Sequence, residues 1–181
     1  MSLVRAALVL IFCSISITSF SHASQDTLFE RFEGKSVKVY IADPVDASKD
    51  HKVPPAALKS AIEQGLRDRK SIRFTLVQDP SQADLKIDSS IKGFVWMDHD
   101  PVDMLMGTAA IATDAVLVQD FARVDVDWSV SDLKKNKVLW SGSTAGDITK
   151  EPMSEADSIP LVTKEVVKSF IRECFGRRRH R

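Results

Sequence analysis

Apolar residues recur along this chain with two periods, and the changes of period divide it into elements. Over 36–42, Val37, Val39 and Ile41 alternate with Lys38 and Tyr40, the period of two that marks a half-buried strand. Residues 43–53 are polar and turn-like. Pro54-Pro55 then opens a stretch in which Leu58, Ala61, Ile62 and Leu66 recur at helical spacing, with Lys59, Glu63, Arg67 and Lys70 on the wet side, the signature of an amphipathic helix. Ile72, Phe74 and Leu76 alternate with Arg73 and Thr75 in a second strand that ends at the Asp79-Pro80-Ser81 turn. In a long third strand Leu85, Ile87, Ile91, Val95 and Met97 share one parity, Lys86, Asp88 and Lys92 share the other, and Gly93 marks a bulge.

The fourth strand has the clearest faces: Ala122, Val124, Val126, Trp128 and Val130 point one way, and Arg123, Asp125, Asp127, Ser129 and Ser131 the other. Lys134-Lys135-Asn136-Lys137 has hairpin length, so Val138, Leu139 and Trp140 begin a fifth strand antiparallel to the fourth. A loop is expected over 147–158. Pro160 then suits the first turn of a last helix whose buried stripe is Val162, Val166, Val167, Phe170, Ile171 and Cys174, with Gly176 as the stop. The order of strand, helix, three or four strands and helix predicts an α+β fold. It is a two-layer sandwich in which a mostly antiparallel sheet of four to five strands carries two main helices on one face.

One segment breaks this pattern. Residues 101–118 include Met104, Leu105, Met106, Ile111, Val116 and Leu117, and are more apolar than a surface connection should be. As a helix the segment would line up Asp103, Gly107, Ala110 and Asp114 on one narrow face. Its length and two aspartates argue against a membrane span. Either it folds back as an extra core helix, or it contacts lipid, a partner or another subunit, as exposed apolar patches do.

The N-terminus sets the compartment. Arg5, the apolar run 6–18 and Ser21-His22-Ala23 form the charged, apolar and small-residue parts of a cleavable export signal, expected over 1–23. The run is short for a spanning helix and is interrupted by Cys13, Ser14 and Ser16, while Phe12 before Cys13 does not suit lipidation. What remains is a leader over 24–35 with a helical start at 28–32, a single domain over 36–176 that carries the apolar insertion, and a basic tail over 177–181. The expected location is the periplasm or the periphery of the outer membrane.

Basic and acidic residues balance at 25 each, so the overall charge points to no nucleic-acid partner. The tail, with Arg177, Arg178, Arg179, His180 and Arg181, is suited either to anionic head groups or to solvent. With Cys13 lost to the signal, Cys174 has no partner within the chain; its helical stripe suggests a buried thiol, and pairing between chains is the alternative.

Candidate chemistry is sparse. Asp98, His99, Asp100 and Asp103 form the densest group of potential ligands, of a kind a hard divalent cation accepts. Consecutive strand residues face opposite sides, however, and acidic residues around Pro101 also serve as helix caps, so no metal site is assigned. Asp125 and Asp127 resemble paired carboxylates but fit a solvated strand face offset by Arg123. His51, His99 and His180 are isolated, and no G-x-S-x-G, P-loop, G-x-G-x-x-G or H-E-x-x-H pattern occurs. Trp96, Trp128 and Trp140 lie on strands, where such side chains fill a core or an interface. No catalytic residue and no cofactor follow.

The phrases Val37-Lys38-Val39-Tyr40-Ile41-Ala42-Asp43, Ala83-Asp84-Leu85-Lys86-Ile87, Arg123-Val124-Asp125-Val126-Asp127-Trp128 and Lys137-Val138-Leu139-Trp140-Ser141-Gly142, taken with the element order, resemble small bacterial envelope-assembly proteins. These are the LptE type, the periplasmic domain of the CsgG type and the LpoB type. The resemblance implies a non-enzymatic component of an envelope complex, although its members are generally anchored through a cysteine that this chain does not place suitably; a homo-oligomer is a further form the chain could take. The leading expectation is therefore an exported binding or assembly subunit that docks a protein or lipid partner through 101–118, with Arg177, Arg178 and Arg179 as a secondary contact for anionic lipid. The rivals are a metal-dependent periplasmic enzyme using Asp98, His99 and Asp100, and a small-ligand carrier with Trp128 or Trp140 in the wall of a pocket between sheet and helices.

Overall fold

The structure, a computed structural model, describes residues 27–97, 120–150 and 153–177. The expected signal over 1–23, the apolar segment 101–118 and residues 178–181 lie outside the described residues. A short helix α1 (Phe29–Phe32) leads into strand β1 (Ser36–Ile41). Next come a two-residue strand β2 (Val45–Asp46), helix α2 (Pro55–Arg67), strand β3 (Arg73–Leu76) and a 3₁₀ turn (Pro80–Gln82). The long strands β4 (Leu85–Met97), β5 (Asp120–Asp132) and β6 (Lys137–Lys150) precede helix α3 (Glu155–Phe175).

The sheet runs β3-β1-β4-β5-β6, with β2 beside β4. The protein is an α+β two-layer sandwich, as the element order predicts. The long β4-β5-β6 ladders are antiparallel. The shorter pairings of β1 with β3 and β4, and of β2 with β4, are parallel. Among the described residues the sheet is therefore mixed and six-stranded rather than four- or five-stranded. Parallel pairing of β1 with β3 follows from the helix between them, since only a crossover can return a chain parallel to itself.

Three local expectations change. The stretch 43–53 is not wholly loop, because Val45 and Asp46 pair with Ser90 and Ile91. Strand β6 runs on to Lys150 rather than ending before 147, with Asp147, Ile148 and Thr149 paired to Arg123, Ala122 and Phe121. Helix α3 begins at Glu155, so Pro160 lies inside it rather than in its first turn. The cap explains the earlier start. Ser154 Oγ accepts the Asp157 N–H at 3.1 Å and donates to Asp157 Oδ2 at 2.6 Å, and Glu155 and Asp157 place negative charge at the positive end of the helix dipole.

Each strand buries one face. Val37, Val39 and Ile41 of β1, Leu85, Ile87 and Ile91 of β4, and Ala122, Val124, Val126, Trp128 and Val130 of β5 form one cluster with Leu58, Ile62 and Leu66 of α2. From α3 come Val162, Val166, Phe170, Cys174 and Phe175. Phe170 is the centre of the aromatic packing: Trp128 stacks on it with centroids 4.2 Å apart and interplanar angle 10°, Trp140 tilts against it at 5.7 Å, and Phe175 meets it edge-on at 6.0 Å. A fully buried ring of this size contributes about 1.5–3 kcal/mol by removal from water. Gly146 allows α3 to lie directly on β6, since a Cβ there would overlap the backbone of Val162 and Val166.

The termini of the described domain are tied to this core. The Leu28 N–H donates to the Cys174 carbonyl at 2.7 Å, and Arg69 Nη2 donates to the Phe175 carbonyl at 2.7 Å. Arg31 reaches Asp132 Oδ2 at 2.8 Å, joining α1 to the β5–β6 turn. The expected helical leader thus forms, and it packs as part of the domain.

Candidate functional site

Strand β4 changes face halfway along. Ile91 stands opposite Val126 and Gly93 opposite Asp125, which leaves Lys92 as the extra residue of a β-bulge. Side chains alternate in a strand, so one inserted residue exchanges the two faces beyond it. Before the bulge Leu85, Ile87 and Ile91 point into the core; after it Phe94 does, with 7% exposure, and Trp96 packs against the same cluster. Val95 and Met97 are 46% and 45% exposed. The single parity expected through Met97 is therefore corrected by the bulge that Gly93 itself marks.

The outer face is consequently divided. Toward the middle of the sheet it is a lattice of charges and hydroxyls: Lys86 Nζ lies 2.7 Å from Asp88 Oδ1, Lys92 Nζ 3.4 Å from Asp127 Oδ2, and Arg123 Nη2 2.8 Å from Asp125 Oδ1. Ser143 Oγ donates to Asp127 Oδ1 at 2.5 Å. The Asp125 carboxylate holds the Arg123 guanidinium above its usual pKa by accepting its hydrogen bonds. Asp125 and Asp127 are thus a solvated strand face, as expected, and each is engaged by neighbouring donors. At the end of the hairpin the face turns apolar. Met97 is the register partner of Phe121, and Val95 of Arg123, so the cross-strand pair Met97 and Phe121 shares this outer side. Val45 and Val138 are the other large apolar residues exposed among the described ones.

This apolar end is where the chain leaves the described sheet after Met97 and re-enters it at Asp120. Asp120 is 2% exposed and accepts the Met153 N–H at 2.6 Å, which fastens the re-entry point to the start of α3. The expected contact residues Met104, Leu105, Met106, Ile111, Val116 and Leu117 lie between these points, outside the described residues, as do Asp98, His99, Asp100, Arg178 and Arg179. Arg177 is described and is exposed just beyond α3. Among the described residues no group of three or more His, Cys, Asp or Glu gathers to hold a metal, and no helix is long and apolar enough to cross a membrane.

Other sequence candidates resolve by packing. Cys174 is a free thiol with no exposed surface, and burial raises its pKa well above the ordinary value. Trp128 and Trp140 fill the space between sheet and α3 in which the carrier reading places a ligand. Trp96 is half-buried, and its indole N–H has no hydrogen-bond partner among the described residues.

One arrangement is invisible in the sequence spacing. His51, isolated in the chain, has a backbone φ of 48°, and its Nδ1 lies 2.8 Å from Asp46 Oδ2. Ser48 Oγ donates to Asp46 Oδ1 at 2.5 Å, and Ser48 and His51 together hold the Asp46 carboxyl below its usual pKa. The three residue types of a hydrolase are present, but the serine proton is given to the carboxylate and not to the imidazole. No nucleophile is activated by this arrangement, which serves as a loop clasp.

No family model matches the chain, and no curated protein matches it. Solved structures do. The PelC dodecamer from Paraburkholderia phytofirmans is similar at 14% identity over 76% of this chain and 88% of that one, with a TM-score of 0.47. The protein CT253 from Chlamydia trachomatis is similar at 11% identity over 77% and 93%, with a TM-score of 0.48. The lipoprotein GNA1162 from Neisseria meningitidis is similar at 10% identity over 75% and 99%, with a TM-score of 0.42. All three are bacterial, and none carries the name LptE, CsgG or LpoB. Likeness at this level assigns neither an activity nor a partner to the chain.

Proposed function

We propose that this protein is an exported, non-catalytic binding or assembly subunit of a bacterial cell-envelope complex, docking a protein or lipid partner through the end of the β4–β5 hairpin. The observation that carries the reading is the exposure of Val95 and Met97, which the bulge turns outward where 101–118 departs. An otherwise charged sheet face ending in apolar residues, followed in sequence by an apolar run, has the composition of a contact surface. Met104, Leu105, Met106, Ile111, Val116 and Leu117 are the residues proposed to make the contact, with Val95 and Met97 at its base. The signal pattern of Arg5, the run 6–18 and Ser21-His22-Ala23 supports export. A second copy of the chain is one of the partners this surface would suit.

The test is site-specific photo-crosslinking of the full chain in a Gram-negative host, with the photoreactive residue at Met97 or, as a control, at Ser129 on the charged part of the same face. A defined adduct at Met97 in the envelope fraction, absent at Ser129 and lost when Leu105, Met106, Ile111 and Leu117 become serine, is the expected result. A chain that stays in the cytoplasm, or one recovered alone with no adduct at Met97, overturns it.

A further inference from the structure

The helix layer carries a second surface that shares no residue with the hairpin end. Helices α2 and α3 meet at Gly65, where a Cβ would stand 2.6 Å from Ile171 Cδ1 and 2.9 Å from Val167 Cγ1. Beside this contact runs an open groove of about 750 Å³. Its floor is Ala61, Gly65, Val167 and Ile171. Val167 and Ile171 are only 2% and 7% exposed, so this floor is recessed between the two helices.

The walls are cationic. Lys164, Lys168 and Arg172 stand one turn apart on α3, a row of about 12 Å, and Arg69, just beyond the end of α2, lines the same groove. The lining contains one carboxylate, Asp68, which already accepts a bond from Gln64 Nε2 at 2.8 Å. Lys168 has an exposed pairing with Glu165 at 3.1 Å, of the kind worth little in water. Among the described residues Arg172 reaches only Ser169 Oγ, at 3.4 Å, and Lys164 makes no ion pair. Arg69 is the fixed member, held by the Phe175 carbonyl with its guanidinium carbon 6.0 Å from the Phe29 ring centre. Long aliphatic stems ending in charge can cover a chain on the floor and still meet an anion at the rim.

We propose that the α2–α3 groove binds an anionic lipid. One acyl chain lies along Ala61, Gly65, Val167 and Ile171, the headgroup phosphate is met by Lys168, Arg172 and Arg69, and Lys164 adds to the positive field along the rim. An apolar floor beneath a rim of net positive charge selects this occupant over a zwitterionic lipid, which lacks the net charge, and over free phosphate, which leaves the floor unused.

The test uses the full chain without its signal and monomeric lysophosphatidylglycerol, followed by calorimetry, with lysophosphatidylcholine and inorganic phosphate as comparisons. Binding of the anionic lipid alone is expected. It should fall on the order of 100-fold when Lys164, Lys168 and Arg172 all become Gln, at about fivefold per cation, and should be unchanged when Arg177, Arg178 and Arg179 become Gln. The three α3 residues are exposed, and an unaltered unfolding midpoint shows that the variant is folded. Equal affinity for lysophosphatidylcholine would mean that the charges are unused, and equal affinity for phosphate that the floor is unused; either result overturns the proposal. Binding lost with the tail variant alone would move the site to the tail. No lipid binding, with saturable binding of a Glu- and Leu-rich helical peptide, would give the groove to a protein partner instead.

Discussion

The indole N–H of Trp128 donates to Thr144 Oγ1 at 2.8 Å, and that hydroxyl in turn donates to the Val166 carbonyl at 3.3 Å. A single buried hydroxyl thus links β5, β6 and α3 beside the Trp128–Phe170 stack. Thr144→Val keeps the shape but leaves the indole N–H buried and unpaired, and should cost about 1–3 kcal/mol. Urea unfolding should show a lower midpoint with an unchanged slope, whereas Thr144→Ser, which retains the hydroxyl, should lose less.

Two glycines should respond in opposite ways. A Cβ at Gly146 would overlap the Val166 N and the Val162 carbonyl, backbone atoms that cannot step aside, so Gly146→Ala should destabilise by about 3 kcal/mol, at the upper end for overpacking. A Cβ at Gly93 would meet nothing within 4 Å, and Gly93→Ala should change stability by under about 1 kcal/mol. Thermal or chemical denaturation of the two variants side by side checks the contrast.

Stability should weaken in acid, in part through Asp84. Its carboxylate accepts Lys134 Nζ at 2.6 Å and the Lys38 N–H at 3.0 Å, and these bonds, the lysine's first, hold its pKa below the usual value in the folded chain. A carboxyl that is more acidic folded than unfolded contributes fully above the unfolded value of about 3.9. The contribution is lost as pH falls through the folded value. The stability difference between the wild type and Asp84→Asn should therefore be constant near neutrality and close below about pH 4, as denaturation across that range would show.

Cys174 should not react with iodoacetamide at mildly alkaline pH until the protein unfolds, because the thiol is buried and its thiolate is disfavoured. Mass spectrometry after labelling in rising urea should follow the unfolding curve. Labelling of native protein, or a disulfide-linked dimer under mild oxidation, would contradict this packing.

The change of face in β4 predicts an inverted substitution pattern. Phe94→Ala should cost about 3–5 kcal/mol as a core truncation, while Val95→Ser and Met97→Ser should each stay within about 0.5 kcal/mol. Equal costs at positions 94 and 95 would show that the bulge is misplaced.

Much of this fold is legible in the sequence, because one-sided burial writes itself as a period. Leu58, Ile62 and Leu66 locate α2, and the alternation from Ala122 to Val130 fixes β5, since nothing interrupts either repeat. Misreadings arise where a local signal has two meanings. Pro160 signals a helix start, but Ser154 with Asp157 three residues on is the stronger signal and caps the true one. Gly142 and Gly146 resemble loop residues, yet each lies within β6 where a side chain would strike the Trp140 ring or the α3 backbone. Strand β2 is two residues long and can show no period. The hairpin-end surface is hidden because Val95 and Met97 continue the apolar alternation of Leu85, Ile87 and Ile91 in sequence, and the change of parity at Lys92 shows only when β4 is paired with β5. The α2–α3 groove combines residues about a hundred positions apart, a relationship that periodicity within one helix does not express.

The extra residue at Lys92 also makes the bend and twist of the hairpin's end depend on a single codon. Deleting Lys92 in frame would make Gly93 the direct successor of Ile91 in the ladder, a regular alternation in which Phe94 and Trp96 stay inward and Val95 and Met97 stay outward. The first half of the strand, and with it the core against α2 and α3, would keep its register. Lineages descended from this chain could therefore straighten the strand in one step while keeping the aliphatic contact surface and the domain beneath it.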